Sequence, residues 1–327
     1  MPIRTSHSSA RGMHTQRDRG RRKKDHRPGR SKRGAHETGD DQFAIFESWL
    51  ANEFTNGSET QNKPSQSFGF KEFLQNTANF ALAPDEKLRI LAIHWEDACV
   101  RMDQPKGWNI LKRIYRDALK YDPTWGTHYH SMSISARACA FWCGDTEQGE
   151  IIFKEARSIC REGLAVAPED ALLHLSLGRC EYSLHDTKQA LVHFEDALEL
   201  EPKLMWARLY QAHCLHDLER WPDAVTAYEA VDLSFFKGNT QWRADLMRDQ
   251  LSECYLQSGS REKALAGFLA VLKRYESNAG MLELPQYLTR AAKGELCDEL
   301  ATRTIALLKK EQWFDLAQSI AASQSSD

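Results

Sequence analysis

The chain has 327 residues, 42% of them hydrophobic, and a formal net charge of −3. That composition supports a packed core over part of the length, and no apolar run is long enough to read as a membrane span. The charge is unevenly placed: in residues 1–36 twelve Lys and Arg stand against Asp18 and Asp25, a net of +10, which leaves −13 for the rest.

No apolar leader follows Met1, which sets the expectation of a cytoplasmic chain, or a nuclear one if the host has a nucleus. Residues 1–40 include "DRGRRKKDHRPGRSKRG" and only five apolar side chains in the first 36. Such a segment cannot bury enough surface to offset its ordering entropy, so it is predicted to be a disordered basic arm. Its cations Arg19, Arg21, Arg22, Lys23, Lys24, Arg27, Arg30, Lys32 and Arg33 lack interleaved aromatics. Any nucleic-acid contact would therefore be phosphate-driven and sequence-blind. An anionic membrane surface would attract the same arm.

Residues 41–83 form a linker with two aromatic-rich pieces. Phe43, Phe46, Leu50 and Phe54 fall at helical spacing, and "SFGFKEFL" (67–74) is a shorter version. The expected role is a cap over the first helical unit, since the end of a repeat array otherwise exposes apolar surface.

Residues 84–275 read as almost unbroken helix. Gly178, Ala190, Phe194 and Ala197 are followed, each after the same interval of thirty-four, by Ala212, Ala224, Tyr228 and Val231. The same interval before Ala190, Phe194, Ala197 and Pro202 stand Ala156, Cys160, Gly163 and Pro168. A constant interval of this size marks one supersecondary unit used repeatedly. Small residues let two helix axes approach, Phe194 and Tyr228 are the bulky knobs expected to fill the gap to the next pair, and Pro202 ends the ladder after "ALELEP".

A third unit carries Leu251, Tyr255, Gly259, Ala264, Phe268 and Val271, but Ala264 lies six positions too far beyond Ala224. The extra six are expected near "FFKGNT". Upstream, 108–123 and 154–168 read as second helices of two earlier units, with an elongated first helix around 127–142. Residues 276–327 are expected to be a helical cap and short tail.

The stretch 171–231 resembles the tetratricopeptide repeat (TPR) superfamily. The resemblance implies an all-α chain, a right-handed α-solenoid of about five helix hairpins with helical caps. It also implies a non-enzymatic scaffold binding a partner's peptide or helix on the concave face. The inward-facing residues would be Arg179 and Tyr182 in one unit, Trp206, Tyr210, His213 and His216 in the next, and Asp249 and Glu253 in the third. Leu175 and Leu209 stand where a polar clamp for a partner's C-terminal carboxylate would be wanted, which disfavours that mode of binding. "LKRIYRDALKYDP" is also similar to the half-a-TPR repeats of RNA-processing complexes, so an RNA-associated protein is the alternative.

The eight cysteines include no C-x-x-C pair, and they read as reduced, packed thiols. Cys180, Cys214 and Cys254 recur on successive first helices, about 10 Å apart for such a geometry, too far to share a metal or a disulfide. A thiol or metal enzyme would have to rest on Cys139 and Cys143 with His128 or His130. No nucleophile elbow, P-loop or zinc-protease motif occurs, so no catalytic residue, cofactor or metal is expected.

Overall fold

The computed structural model describes residues 44–45, 48–49, 69–98, 104–121, 126–144, 146–236, 241–277, 286–294, 296–310 and 314–324. The basic arm lies outside them, and so do Phe43, Phe46, Leu50 and Phe54. Among the described residues every regular element is helical, and no helix is long and apolar enough to cross a membrane. Among the described residues the chain is all-α, built from helical hairpins.

The helices are α1 (Phe70–Asn76), α2 (Pro84–Ala98), α3 (Gln104–Tyr121), α4 (Gly126–Cys143), α5 (Glu147–Val166), α6 (Ala171–Ser183) and α7 (Thr187–Leu200). They continue with α8 (Met205–Asp217), α9 (Trp221–Glu229), a 3-10 turn (Leu233–Phe235), α10 (Gln241–Gln257), α11 (Arg261–Ser277), α12 (Gln286–Lys293), α13 (Asp298–Lys310) and α14 (Phe314–Gln324). Contacts group these helices into two compact units, one ending at Leu204 and one running on from Met205.

In the first unit α4 pairs with α5 and α6 with α7, while α2 and α3 both lie on α4. The elongated α4, at 18 residues, follows the sequence reading. Part of the N-terminal piece is described. Phe70 and Phe73 of α1 are buried, and the Trp49 ring lies 5.8 Å from that of Phe80. Glu72 accepts a hydrogen bond from the Gly69 backbone, closing the start of α1.

Small residues set the spacing of the hairpins. A Cβ on Gly178 would stand 2.7 Å from the Phe194 ring, and one on Gly163 would stand 2.7 Å from Cβ of Tyr129. Phe194 thus fills the gap inside its own hairpin, against Gly178. Its full burial removes a large apolar surface from water, worth about 1.5–3 kcal/mol.

The recurrence extends to the backbone of the turns. Between α6 and α7, amides 184, 185 and 186 donate to the carbonyls of Cys180, Tyr182 and Glu181. Between α8 and α9, amides 218, 219 and 220 donate to Cys214, His216 and Leu215. Between α10 and α11, amides 258, 259 and 260 donate to Cys254, Leu256 and Tyr255. Each turn is a Schellman closure with one left-handed residue: His185 (φ 64°), Glu219 (φ 58°) and Gly259 (φ 79°).

In the second unit α8 pairs with α9 and α10 with α11, and α12 to α14 follow. Gly267 of α11 presses on α10, where an added Cβ would meet Ser252 Oγ at 2.1 Å. Phe268, Val271 and Leu272 of α11 share one core with Leu288, Ala292, Leu300 and Ile320. The C-terminal helices thus pack on the last hairpin.

Candidate functional site

The first turn of α8 and the connection after α9 build an aromatic surface in the second unit. The Trp206 ring lies 5.3 Å from that of Phe236, 6.0 Å from Phe235 and 6.5 Å from Tyr210. The Arg243 guanidinium sits 5.0 Å from the centre of the Trp206 ring, a cation–π arrangement. Phe236 is buried, Trp206 and Tyr210 are half-buried, and Phe235 is 49% exposed.

The lengthened connection is what brings these rings together. Asp232 caps the 3-10 turn by accepting from the Ser234 amide, and its own amide donates to Met205 Sδ. The turn thereby delivers Phe235 and Phe236 to the start of α8. Phe235 and Phe236, at the start of the stretch that breaks the repeat interval, are part of this surface.

Deeper on α8 the side chains are buried and engaged. His213 Nδ1 lies 2.8 Å from Tyr228 Oη, which donates to Gln250 Oε1 at 3.1 Å. Tyr228 thus accepts from His213 and reaches from α9 to α10. Burial pushes His213 down to about 3, so the ring is neutral and the Nδ1–H tautomer completes the chain of bonds. His216 meets Trp221 and Tyr287 edge to face, ring centres 5.5 and 5.0 Å away, and pairs with Asp217 at 3.0 Å.

Asp249 of α10 accepts from the amides of Tyr287 (3.0 Å) and Leu288 (2.7 Å), in the first turn of α12. Two bonds from a helix start favour the carboxylate. Burial outweighs them and pushes Asp249 up to about 7. One turn on, the buried Glu253 faces Arg290 at 3.5 Å and accepts from Gln257. The Arg290 guanidinium in turn lies over the Tyr287 ring at 5.3 Å.

The sequence reading set His213, His216, Asp249 and Glu253 on an open inner wall. They are instead buried, because α12 lies against Asp249, Glu253 and His216 and uses them as its seat. What this unit leaves at its surface is Trp206 and Tyr210, together with Phe235 and Arg243, which the repeat pattern did not single out. An aromatic pair at the insertion was the available signal.

Arg179 and Tyr182 lie half-buried on α6, in the unit ending at Leu204. Between them Glu181 is buried and pairs with Arg161 (2.8 Å) and Arg157 (3.3 Å) of α5. The thiol residues offer little chemistry. Cys139 Sγ accepts from Trp95 Nε1 at 3.0 Å, and burial pushes its thiol up to about 12. His130 hydrogen-bonds Ser176, and burial pushes it down to about 4. At neutral pH this pair supplies neither a thiolate nor an imidazolium. Cys180 meets Cys160 of α5, whose thiol burial raises well above the usual range.

One group of potential metal ligands does converge among the described residues: His174 of α6 with His193 and Asp196 of α7, ligand atoms within 4.8 Å of one another. Neither histidine was singled out from the sequence. The i,i+3 pair His193–Asp196 opposite His174 was the signal.

No protein-family model matches the chain, and no curated protein sequence does either. Solved structures resemble it at low identity. A thermophilic TPR protein of Thermus thermophilus is 17% identical, covering 67% of this chain and all of that one, with a TM-score of 0.45. PilF of Pseudomonas aeruginosa is 16% identical over 73% of this chain and 95% of its own, with a TM-score of 0.45. A tetratricopeptide repeat protein of Parabacteroides merdae is 14% identical over 87% and 99%, with a TM-score of 0.46.

Proposed function

We propose that this TPR-like helical-repeat chain is a non-catalytic interaction scaffold that binds a peptide or helix of another protein. The observation that carries the reading is the Trp206 surface. It groups an aromatic anchor, an exposed Phe235 and a guanidinium stacked on the anchor's ring. Aromatics and Arg are the residue types that anchor partner segments, and exposed apolar rings gain most from being covered. The chemistry suits a segment that presents an apolar side chain next to a carboxylate, the first against Trp206 and Phe235, the second toward Arg243.

In this reading Trp206 and Tyr210 contact the partner, and Arg179 and Tyr182 on α6 form a separate candidate contact in the other unit. His216, Asp249 and Glu253 support the wall by holding α12, and His213 ties α8 to Tyr228 of α9. The basic arm, Arg19 to Arg33, adds a weak contact that falls with salt.

Affinity capture with the full chain tests this, comparing wild type with a Trp206→Ala, Arg179→Ala double variant of unchanged helicity. Loss of at least tenfold of a recovered partner is expected, and an unchanged set of partners overturns the assignment. Filter binding of RNA across a salt series, with and without residues 1–36, addresses the RNA-associated alternative. Retention that vanishes with the arm would support it.

A further inference from the structure

We propose that His174, His193 and Asp196 form a binding site for one divalent transition-metal ion, zinc by preference, that pins α6 to α7. The geometry is the first argument. His174 Nδ1 lies 3.4 Å and His193 Nδ1 lies 3.6 Å from the same Asp196 oxygen, Oδ2. Zinc bonds of about 2.0–2.1 Å in a tetrahedron place neighbouring ligand atoms about 3.3 Å apart, so two edges are nearly formed. The two imidazoles face each other with ring centres 5.9 Å apart. A small rotation of either ring closes the third edge from within the present 4.8 Å limit.

The second argument is the state of the nitrogens. His174 Nε2 lies 3.0 Å from the Pro168 carbonyl oxygen, which can only accept. That bond fixes the proton on Nε2 and turns the Nδ1 lone pair toward Asp196. This is the outer-sphere arrangement that orients histidine ligands of metals. The Nδ1 atoms of His174 and His193 are both buried, and neither has a hydrogen-bond partner. Two buried ring nitrogens left without a hydrogen bond beside one carboxylate are costly for packing alone and are satisfied by a cation.

The repeat itself supplies the third argument. One repeat interval after the trio stand Arg208, Ala227 and Ala230, and one interval before stand Ala140, Ile159 and Glu162. The neighbouring hairpins are built without this group, so hairpin packing does not require it. The site lies near the surface, with Asp196 as its exposed side: the side chains are 15%, 19% and 41% exposed in the order His174, His193, Asp196. An ion can enter and keep water as a fourth ligand. Two imidazoles and one carboxylate suit zinc, cobalt, nickel or copper, not the oxygen shells of calcium or magnesium.

The test uses the full chain, stripped with a chelator, desalted and titrated with Co²⁺, then with Zn²⁺ against a competing chromophoric chelator. The expected result is one equivalent bound, with the intense visible absorption of tetrahedral cobalt bleached by zinc. His193→Ala and the near-isosteric Asp196→Asn should each weaken binding by about tenfold or more. Both should also abolish the zinc-induced rise in melting temperature while leaving helicity unchanged. A variant with the arm histidines His7, His14, His26 and His36 replaced by alanine should still bind one equivalent. No stoichiometric binding by the wild type, binding indifferent to both hairpin variants, or binding lost with the arm histidines would each overturn the site.

Discussion

Glu181 and Asp249 are buried carboxylates on the first helices of two hairpins, one in each unit, and they are satisfied by opposite means. Glu181 sits under two guanidinium groups of the preceding helix, both partly in water. Asp249 has two backbone amides of α12 and lies deep enough for burial to dominate its proton affinity. The repeat supplies cations to one and a helix start to the other. A helical array can thus keep one spacing while changing what its inner positions are for. In the first unit they tie neighbouring helices by charge. In the second they seat an extra helix on the wall.

The largest expected effect sharpens this contrast at equivalent knobs. Phe194 and Tyr228 stand one repeat interval apart, both fully buried, the first among apolar atoms and against Gly178. Phe194→Ala should cost about 3–5 kcal/mol, read as a lower denaturation midpoint, because rigid helix backbone on either side limits collapse into the cavity. A cost below about 1 kcal/mol would mean the hairpin is looser than described.

The next effect is in pH and belongs to the second unit. Asp249, at about 7, lies above its unfolded value of 3.8. Its contribution to stability is therefore complete below about pH 4 and is lost as pH rises toward 7. His213, at about 3, lies below its unfolded value of 6.5. Its contribution is complete above about pH 6.5 and is lost as pH falls toward 3. Between about pH 4 and 6.5 the two slopes oppose, each up to about 1.4 kcal/mol per pH unit. Asp249→Asn should leave the rise due to His213, and His213→Gln should leave the fall due to Asp249. Urea unfolding of each at pH 4.5 and 6.5 reads this. Identical pH profiles for wild type and both variants would refute the burial assigned to these groups.

Tyr228→Phe comes third. It removes the hydroxyl that links His213 to Gln250 but keeps the ring, so a loss of about 1–2 kcal/mol is expected. The comparison with Phe194→Ala separates the knob's volume from its hydrogen bonds.

Much of the fold was legible because a repeat is a local pattern written several times. Gly178, Ala190 and Phe194 show the hairpin, and the proline intervals show the long α4. The candidate site was harder for a physical reason. Whether a polar residue on an inner face meets solvent or another helix depends on what packs there from far along the chain. Nothing near Asp249 announces Leu288, which lies two helices further on. His174 and His193 were likewise visible as residues, but their shared approach to one Asp196 oxygen depends on how α6 and α7 pair. The insertion before α10 read as a mere length difference, since composition does not tell that Phe235 and Phe236 fold back onto Trp206.

The smallest expected effect lies in the turns, where both units use one backbone. His185 and Glu219 hold left-handed φ with a Cβ, at a strain cost of roughly 1–2 kcal/mol, while Gly259 occupies the equivalent place without it. Glycine loses more chain entropy on folding, so the strain relief is only partly kept. Glu219→Gly should therefore stabilise by about 0.5–1 kcal/mol, and Gly259→Ala should destabilise by a similar amount. Glu219 is exposed, and its amide already makes the turn's bond to His216. The backbone conformation alone is then in question. If Glu219→Gly lowers the unfolding midpoint while Gly259→Ala leaves it unchanged, the three turns do not share the left-handed closure, and the repeat ends at the side chains.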